Sequence, residues 1–110
     1  MNWIVEYLPE VEKDLSKLSS DQRVSVFKAL GRVRTNPLPQ SEGGYGKPLG
    51  NRNGISLAGF LKVKLRGDGI RIVYKLVRRE SQMLIVVVGL REDDDAYTIA
   101  ARRRIRHNLQ

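Results

Sequence analysis

Residues 60–75 read Phe60-Leu61-Lys62-Val63-Lys64-Leu65-Arg66-Gly67-Asp68-Gly69-Ile70-Arg71-Ile72-Val73-Tyr74-Lys75, and this stretch decides the fold. Apolar and polar side chains alternate on both sides of Gly67-Asp68-Gly69, the pattern of a β-hairpin with one buried face. A two-residue turn at Gly67-Asp68 pairs Arg66 with Gly69, and a four-residue loop pairs Leu65 with Ile70. Both give one ladder, in which Lys64 opposes Arg71 and Val63 opposes Ile72. Leu61, Val63, Leu65, Ile70, Ile72 and Tyr74 then share the core face, while Lys62, Lys64 and Arg71 share the other. Lys62 and Lys64 stand about 6.5–7 Å apart along the strand, and Lys64 and Arg71 about 5 Å apart across it. Like charges this close repel. A phosphate-binding face accounts for them, and the alternative is an edge hairpin kept soluble by its charges.

Outward from the hairpin, Trp3-Ile4-Val5-Glu6-Tyr7 is rich in β-branched and aromatic residues and predicts a strand. Pro9 suits a first helical turn, and Leu8, Val11, Leu15 and Leu18 follow at helical spacing. Ser19-Ser20-Asp21 interrupts the pattern and supplies N-cap groups for a second helix through Val26, Phe27, Leu30 and Val33, ending before Pro37. The two form a helical hairpin whose apolar stripes are read as core. Residues 36–59 hold six glycines and three prolines and predict a long irregular connection, with room for a short strand or helical turn. Met83 to Val88 is almost continuously apolar, as in a strand covered on both faces. Asp93, Asp94 and Asp95 are placed to cap a last helix through Ala96–Ala101, closed by Arg102, Arg103, Arg104 and Arg106. The expected class is α+β: a mostly antiparallel four-stranded twisted sheet, an N-terminal helical hairpin and a C-terminal helix.

The chain of 110 residues is expected to form one domain over 1–110. It has no cysteine and one histidine, His107, which excludes disulfides, thiolate chemistry and multi-histidine sites. No apolar run reaches the roughly 18–20 residues of a membrane span, and residues 1–6 lack a signal-peptide pattern. A cytoplasmic protein with no membrane contact is expected. The formal charge is +8, from 20 basic and 12 acidic residues. Residues 1–46 are neutral, six against six, so the remainder carries the whole excess with 14 basic and six acidic residues. Such asymmetry suits a polyanion-binding face, or one that meets an acidic protein. The run Glu92 to Asp95 is read as a helix N-terminus and not as a metal site, because consecutive carboxylates point apart.

Taken in order, these pieces resemble the RelE branch of the RelE/ParE toxin superfamily. The resemblance runs from the initial strand and helical hairpin through Lys47-Pro48-Leu49, Lys62-Val63-Lys64-Leu65-Arg66 and Gly69-Ile70-Arg71-Ile72-Val73-Tyr74. It continues through Val88-Gly89-Leu90-Arg91-Glu92 to Tyr97 in the last helix. It implies a toxin that cleaves messenger RNA in the ribosomal A site, with Lys62, Lys64, Arg71, Arg91 and Tyr97 as the cleavage set. Lys47, Arg66, Arg102 and Arg103 are further candidate RNA contacts. The implied partners are an acidic antitoxin, the ribosome and mRNA, with operator DNA reached only through the antitoxin complex; no cofactor and no metal are expected. The gyrase-inhibiting ParE branch shares the fold and supplies the alternative, a non-enzymatic inhibitor. The longer loop before the hairpin and the acidic run beside Arg91 depart from the pattern.

Overall fold

The computed structural model describes residues 2–52, 55–90 and 96–109. Its elements are β1 (Ile4–Tyr7), α1 (Pro9–Ser16), α2 (Ser20–Val33), β2 (Lys47–Arg52), β3 (Ile55–Leu65), β4 (Ile70–Val77), β5 (Gln82–Leu90) and α3 (Ala96–Arg106). The class is α+β, but the sheet has five strands in the order β1-β5-β4-β3-β2. The additional strand is β2, hidden in the Gly- and Pro-rich connection. Pro48 fits there because β2 is an edge strand, where a missing N–H costs no ladder bond. β1 runs parallel to β5, and every other pairing is antiparallel.

The β3–β4 ladder has the register that alternation predicts, with Lys64 opposite Arg71, Val63 opposite Ile72 and Leu65 opposite Ile70. Leu61, Ile70, Ile72 and Tyr74 are buried on the core side. The cationic side differs from expectation at its far end. Val73, opposite Lys62, and Phe60, opposite Lys75, are also buried. α3 packs on β4 and β5, so that part of the sheet is covered on both sides. β5 explains its own unbroken apolar run in a second way. Val73 pairs with Val87 and Tyr74 with Ile85, which leaves Val86 as a bulge residue. A bulge adds a residue and shifts the alternation, so Ile85, Val86, Val87 and Val88 are all buried.

Pro9 stands in the first turn of α1, and Ser19 caps α2 through a reciprocal box with Gln22. Val26, Leu30 and Val33 are buried as their spacing predicts, but Phe27 is 48% exposed. The buried stripe of α2 turns instead through Ala29, which fits closer to the sheet. The acidic cap expected at residues 93–95 lies outside the described residues.

The α1 and α3 helices are joined by a largely buried ion pair. Arg103 Nη1 and Nη2 donate to Asp14 Oδ2 and Oδ1 at 2.7 and 2.9 Å. Arg103 Nη1 also donates to the Val86 carbonyl at 2.8 Å, and Asp14 Oδ2 accepts the Val88 N–H at 3.0 Å. The last bond from the β1 side is Leu8 N–H to the Ile85 carbonyl. Beyond it, the backbone of Val86 and Val88 is completed by the ion pair rather than by a strand. Breaking such a pair by removing one partner strands a buried charge. Asp14→Ala and Arg103→Ala should therefore each cost about 3–5 kcal/mol in urea unfolding.

The end of α3 is held more loosely. Arg106 Nη1 and His107 Nε2 each lie 2.8 Å from Glu10 Oε2. Hydrogen bonding from His107, and after it from Arg106, holds the Glu10 carboxyl down at about 2 from an ordinary 4.5. A depressed carboxyl stabilises the fold above its unfolded pKa, and that contribution is lost as pH falls through the folded one. The melting temperatures of the native chain and of Glu10→Gln should thus differ above pH 4.5 and converge toward pH 2.

Candidate nucleic-acid interface

Adjacent strands gather the basic residues. Lys47 on β2 is the cross-strand partner of Lys62 on β3, and Lys64 on β3 is the partner of Arg71 on β4. Directly opposed residues share a face, so four cations from three strands stand side by side. Lys47 and Lys64 are exposed, while Lys62 and Arg71 are half-buried. Arg66 is exposed at the hairpin end. Two adjoining clefts open here. One is lined by Lys64, Leu65, Arg66, Gly69, Ile70 and Arg71, the other by Gln40, Tyr45, Lys47, Lys62, Val63, Lys64 and Arg66. Concentrated positive charge along a concave surface attracts a phosphate backbone.

The second cleft depends on how the loop before β2 is fixed. Tyr74, wholly buried, donates its hydroxyl to the Pro37 carbonyl at 2.8 Å. Burial pushes that phenol well above its ordinary pKa, so it remains a donor. The loop then closes on itself: Gly46 N–H bonds the Leu38 carbonyl, Gln40 N–H the Gly46 carbonyl, and Tyr45 N–H the Asn36 carbonyl. Asn36 Nδ2 reaches the Gly43 carbonyl at 3.2 Å, and Arg78 grips Glu42 with both Nη atoms from the far side. The segment is ordered by its own hydrogen bonds.

No protein-family model matches the chain. A RelE-like toxin protein of Escherichia coli is 28% identical over 103 residues, covering 94% of this chain and 98% of that one. The mRNA interferase toxin RelE of Escherichia coli strain K12 is 26% identical over 103 residues, with the same coverage of 94% and 98%. A free E. coli RelE toxin bearing two arginine-to-alanine changes has a TM-score of 0.70 at 24% identity, covering 94% of this chain and 98% of that one. The toxin in the RelBE2 toxin–antitoxin complex of Mycobacterium tuberculosis gives 0.67 at 26% identity, covering 84% and 95%. The chain is thus similar to RelE toxins along nearly its whole length and shares their fold.

The candidate residues separate into groups. Lys47, Lys62, Lys64, Arg66 and Arg71 line the two clefts. Arg102 is exposed on α3. Arg103, expected as an RNA contact, is instead enclosed by Asp14 and the Val86 carbonyl, because it must complete the backbone left open by the bulge. Tyr97, implied as one of the cleavage residues, is 8% exposed and donates its hydroxyl to the Gly50 carbonyl at 2.8 Å, tying α3 to β2. Arg91 lies outside the described residues. Three side chains escaped the sequence reading. Tyr45 and Gln40 sit in a stretch with no periodicity, and the signal available was an aromatic residue two positions before Lys47. Lys75 lies over the Phe60 ring at 5.3 Å from its centroid, and burial pushes its ammonium pKa down.

Gly46 is the point of closest approach between the loop and the sheet. A Cβ there would lie 2.5 Å from Tyr74 Oη and 2.8 Å from Leu61 Cδ1. Gly46→Ala should therefore dislodge the Tyr74–Pro37 bond and cost about 1–3 kcal/mol in urea unfolding. Amide hydrogen exchange should rise selectively in residues 36–46, with β4 and β5 still protected.

Proposed function

We propose that this chain is the toxin of a type II toxin–antitoxin system, and that it cuts messenger RNA in the ribosomal A site. The observation that carries the proposal is the meeting of Lys47, Lys62, Lys64 and Arg71 on one sheet face, in a chain similar along 94% of its length to an mRNA interferase. The reaction is attack of a ribose 2′-oxygen on the adjacent phosphorus, with departure of the 5′-oxygen. It requires removal of the 2′-OH proton, stabilisation of the phosphorane and protonation of the leaving oxygen. Neighbouring cations lower one another's proton affinity, so a lysine of the Lys62–Lys64 pair serves as the base. The remaining lysine and Arg71 stabilise the added negative charge, ordinarily the largest single contribution to such a step. Arg91 joins this set by the resemblance of Val88-Gly89-Leu90-Arg91-Glu92 to the family. Tyr97 reaches RNA only when its hydroxyl leaves the Gly50 carbonyl; in the arrangement described it is a positioning residue that holds α3 on β2. The ribosome holds the message in a reactive geometry, which compensates for the lack of a histidine at the site.

The same charge suggests the silencing partner. An acidic, partly disordered antitoxin that folds on binding would neutralise this face. Related toxins occur in solved complexes named RelBE, from Mycobacterium tuberculosis and Escherichia coli.

Primer extension on cellular mRNA after brief induction tests the reaction. Cuts inside translated codons are expected, and Lys64→Ala and Arg71→Ala should each lower the cleavage rate on the order of 10²–10³-fold without changing the melting temperature. Intact mRNA accompanied by DNA damage would overturn the nucleolytic reading in favour of a gyrase inhibitor.

A further inference from the structure

We propose that Tyr45 is a stacking platform for an unpaired nucleobase, set beside the cations that hold the phosphates. This inference rests on the reading of the basic face as RNA-binding and deepens it, since it gives that face a base subsite.

A basic surface alone grips a sugar–phosphate chain. Single-stranded RNA recognition adds aromatic side chains on which unstacked bases lie. The resemblance implies Tyr97 in the cleavage set, but that ring is buried and its hydroxyl is engaged by Gly50. Tyr45 is the aromatic side chain found among the residues lining the two clefts, together with Lys47, Lys62, Lys64 and Arg66. It is 45% exposed, so a face of the ring is open to a ligand in the cleft.

Its placement is firm. The Tyr45 N–H bonds the Asn36 carbonyl at 3.1 Å, and the next residue, Gly46, is wedged against Tyr74 and Leu61. The ring is therefore presented by a segment tied down on both sides, so little conformational entropy is lost when a base stacks on it. A stacking surface accepts any base through its π-face, so the subsite should discriminate RNA with bases from RNA without them, not one sequence from another.

The test uses the purified full chain, a six-nucleotide single-stranded RNA, and the same sugar–phosphate hexamer abasic throughout, at low salt. Tyr45→Ala should weaken binding of the RNA about five- to a hundredfold, with no change for the abasic hexamer. Tyr45→Phe should bind both as the native chain does, because the ring and not the hydroxyl is at work. A Lys62→Gln/Lys64→Gln double variant should lose affinity for both ligands alike, which tests the phosphate-binding reading independently. Undiminished RNA binding by Tyr45→Ala, or an equal loss on both hexamers, would overturn the stacking role while leaving that reading intact. Failure of the native chain to bind either ligand would remove both.

Discussion

Burial of Ile70, Ile72 and Tyr74 on one side of the β3–β4 ladder holds Lys64 opposite Arg71 on the other. The two tendencies conflict, and magnitudes decide between them. Each fully buried aliphatic or aromatic side chain contributes about 1.5–3 kcal/mol, whereas a cross-strand pair changes stability by roughly 0.2–1 kcal/mol. Three buried residues therefore outweigh one like-charge contact several times over. A slip of one residue would exchange the faces completely, so the register cannot relax to separate the cations. The fold thus maintains a local concentration of charge that an isolated hairpin would avoid.

The same sheet then sorts the arginines and lysines by role. At the bulge of β5, the backbone of Val86 and Val88 faces the end of β1 and needs polar partners, which Asp14 and Arg103 provide. That arginine is a structural group. At the opposite edge, Tyr74 reaches through the core to Pro37 and draws the loop of residues 36–46 against β3. The loop adds Gln40 and Tyr45 to the cleft that already contains Lys47 and Lys62. One buried hydroxyl thereby converts a charged sheet face into a cleft with an aromatic wall.

The legible parts of the sequence were those in which local pattern and tertiary burial agree. Alternation in residues 60–75 gives the hairpin register because each side of that ladder has one dominant environment near the turn. The Ser19–Gln22 cap and Pro9 are local signals and appear where their chemistry requires. β2 was not legible, since Lys47-Pro48-Leu49-Gly50 has poor strand propensity and pairs only because β3 offers it an edge. The bulge at Val86 has no distinct residue signature within an all-apolar run. Arg103 read as a free basic end because its partner Asp14 lies 89 residues earlier. Phe27 sits on the predicted stripe but is left outside by the rotation of α2 toward Ala29. In the candidate site, the lysines followed from register, while Tyr45 depended on a loop whose path is fixed by long-range hydrogen bonds.

Binding of single-stranded RNA to the face built by β2, β3 and β4 underlies the proposed activity. Amide chemical-shift mapping by NMR addresses it most directly, with a short RNA carrying 2′-O-methyl groups so that the attacking hydroxyl is blocked. Perturbations are expected to concentrate at Tyr45, Lys47, Lys62, Lys64, Arg66 and Arg71 and to shrink as salt rises. Perturbations centred instead on β1 and α2, or none at low salt, would contradict it.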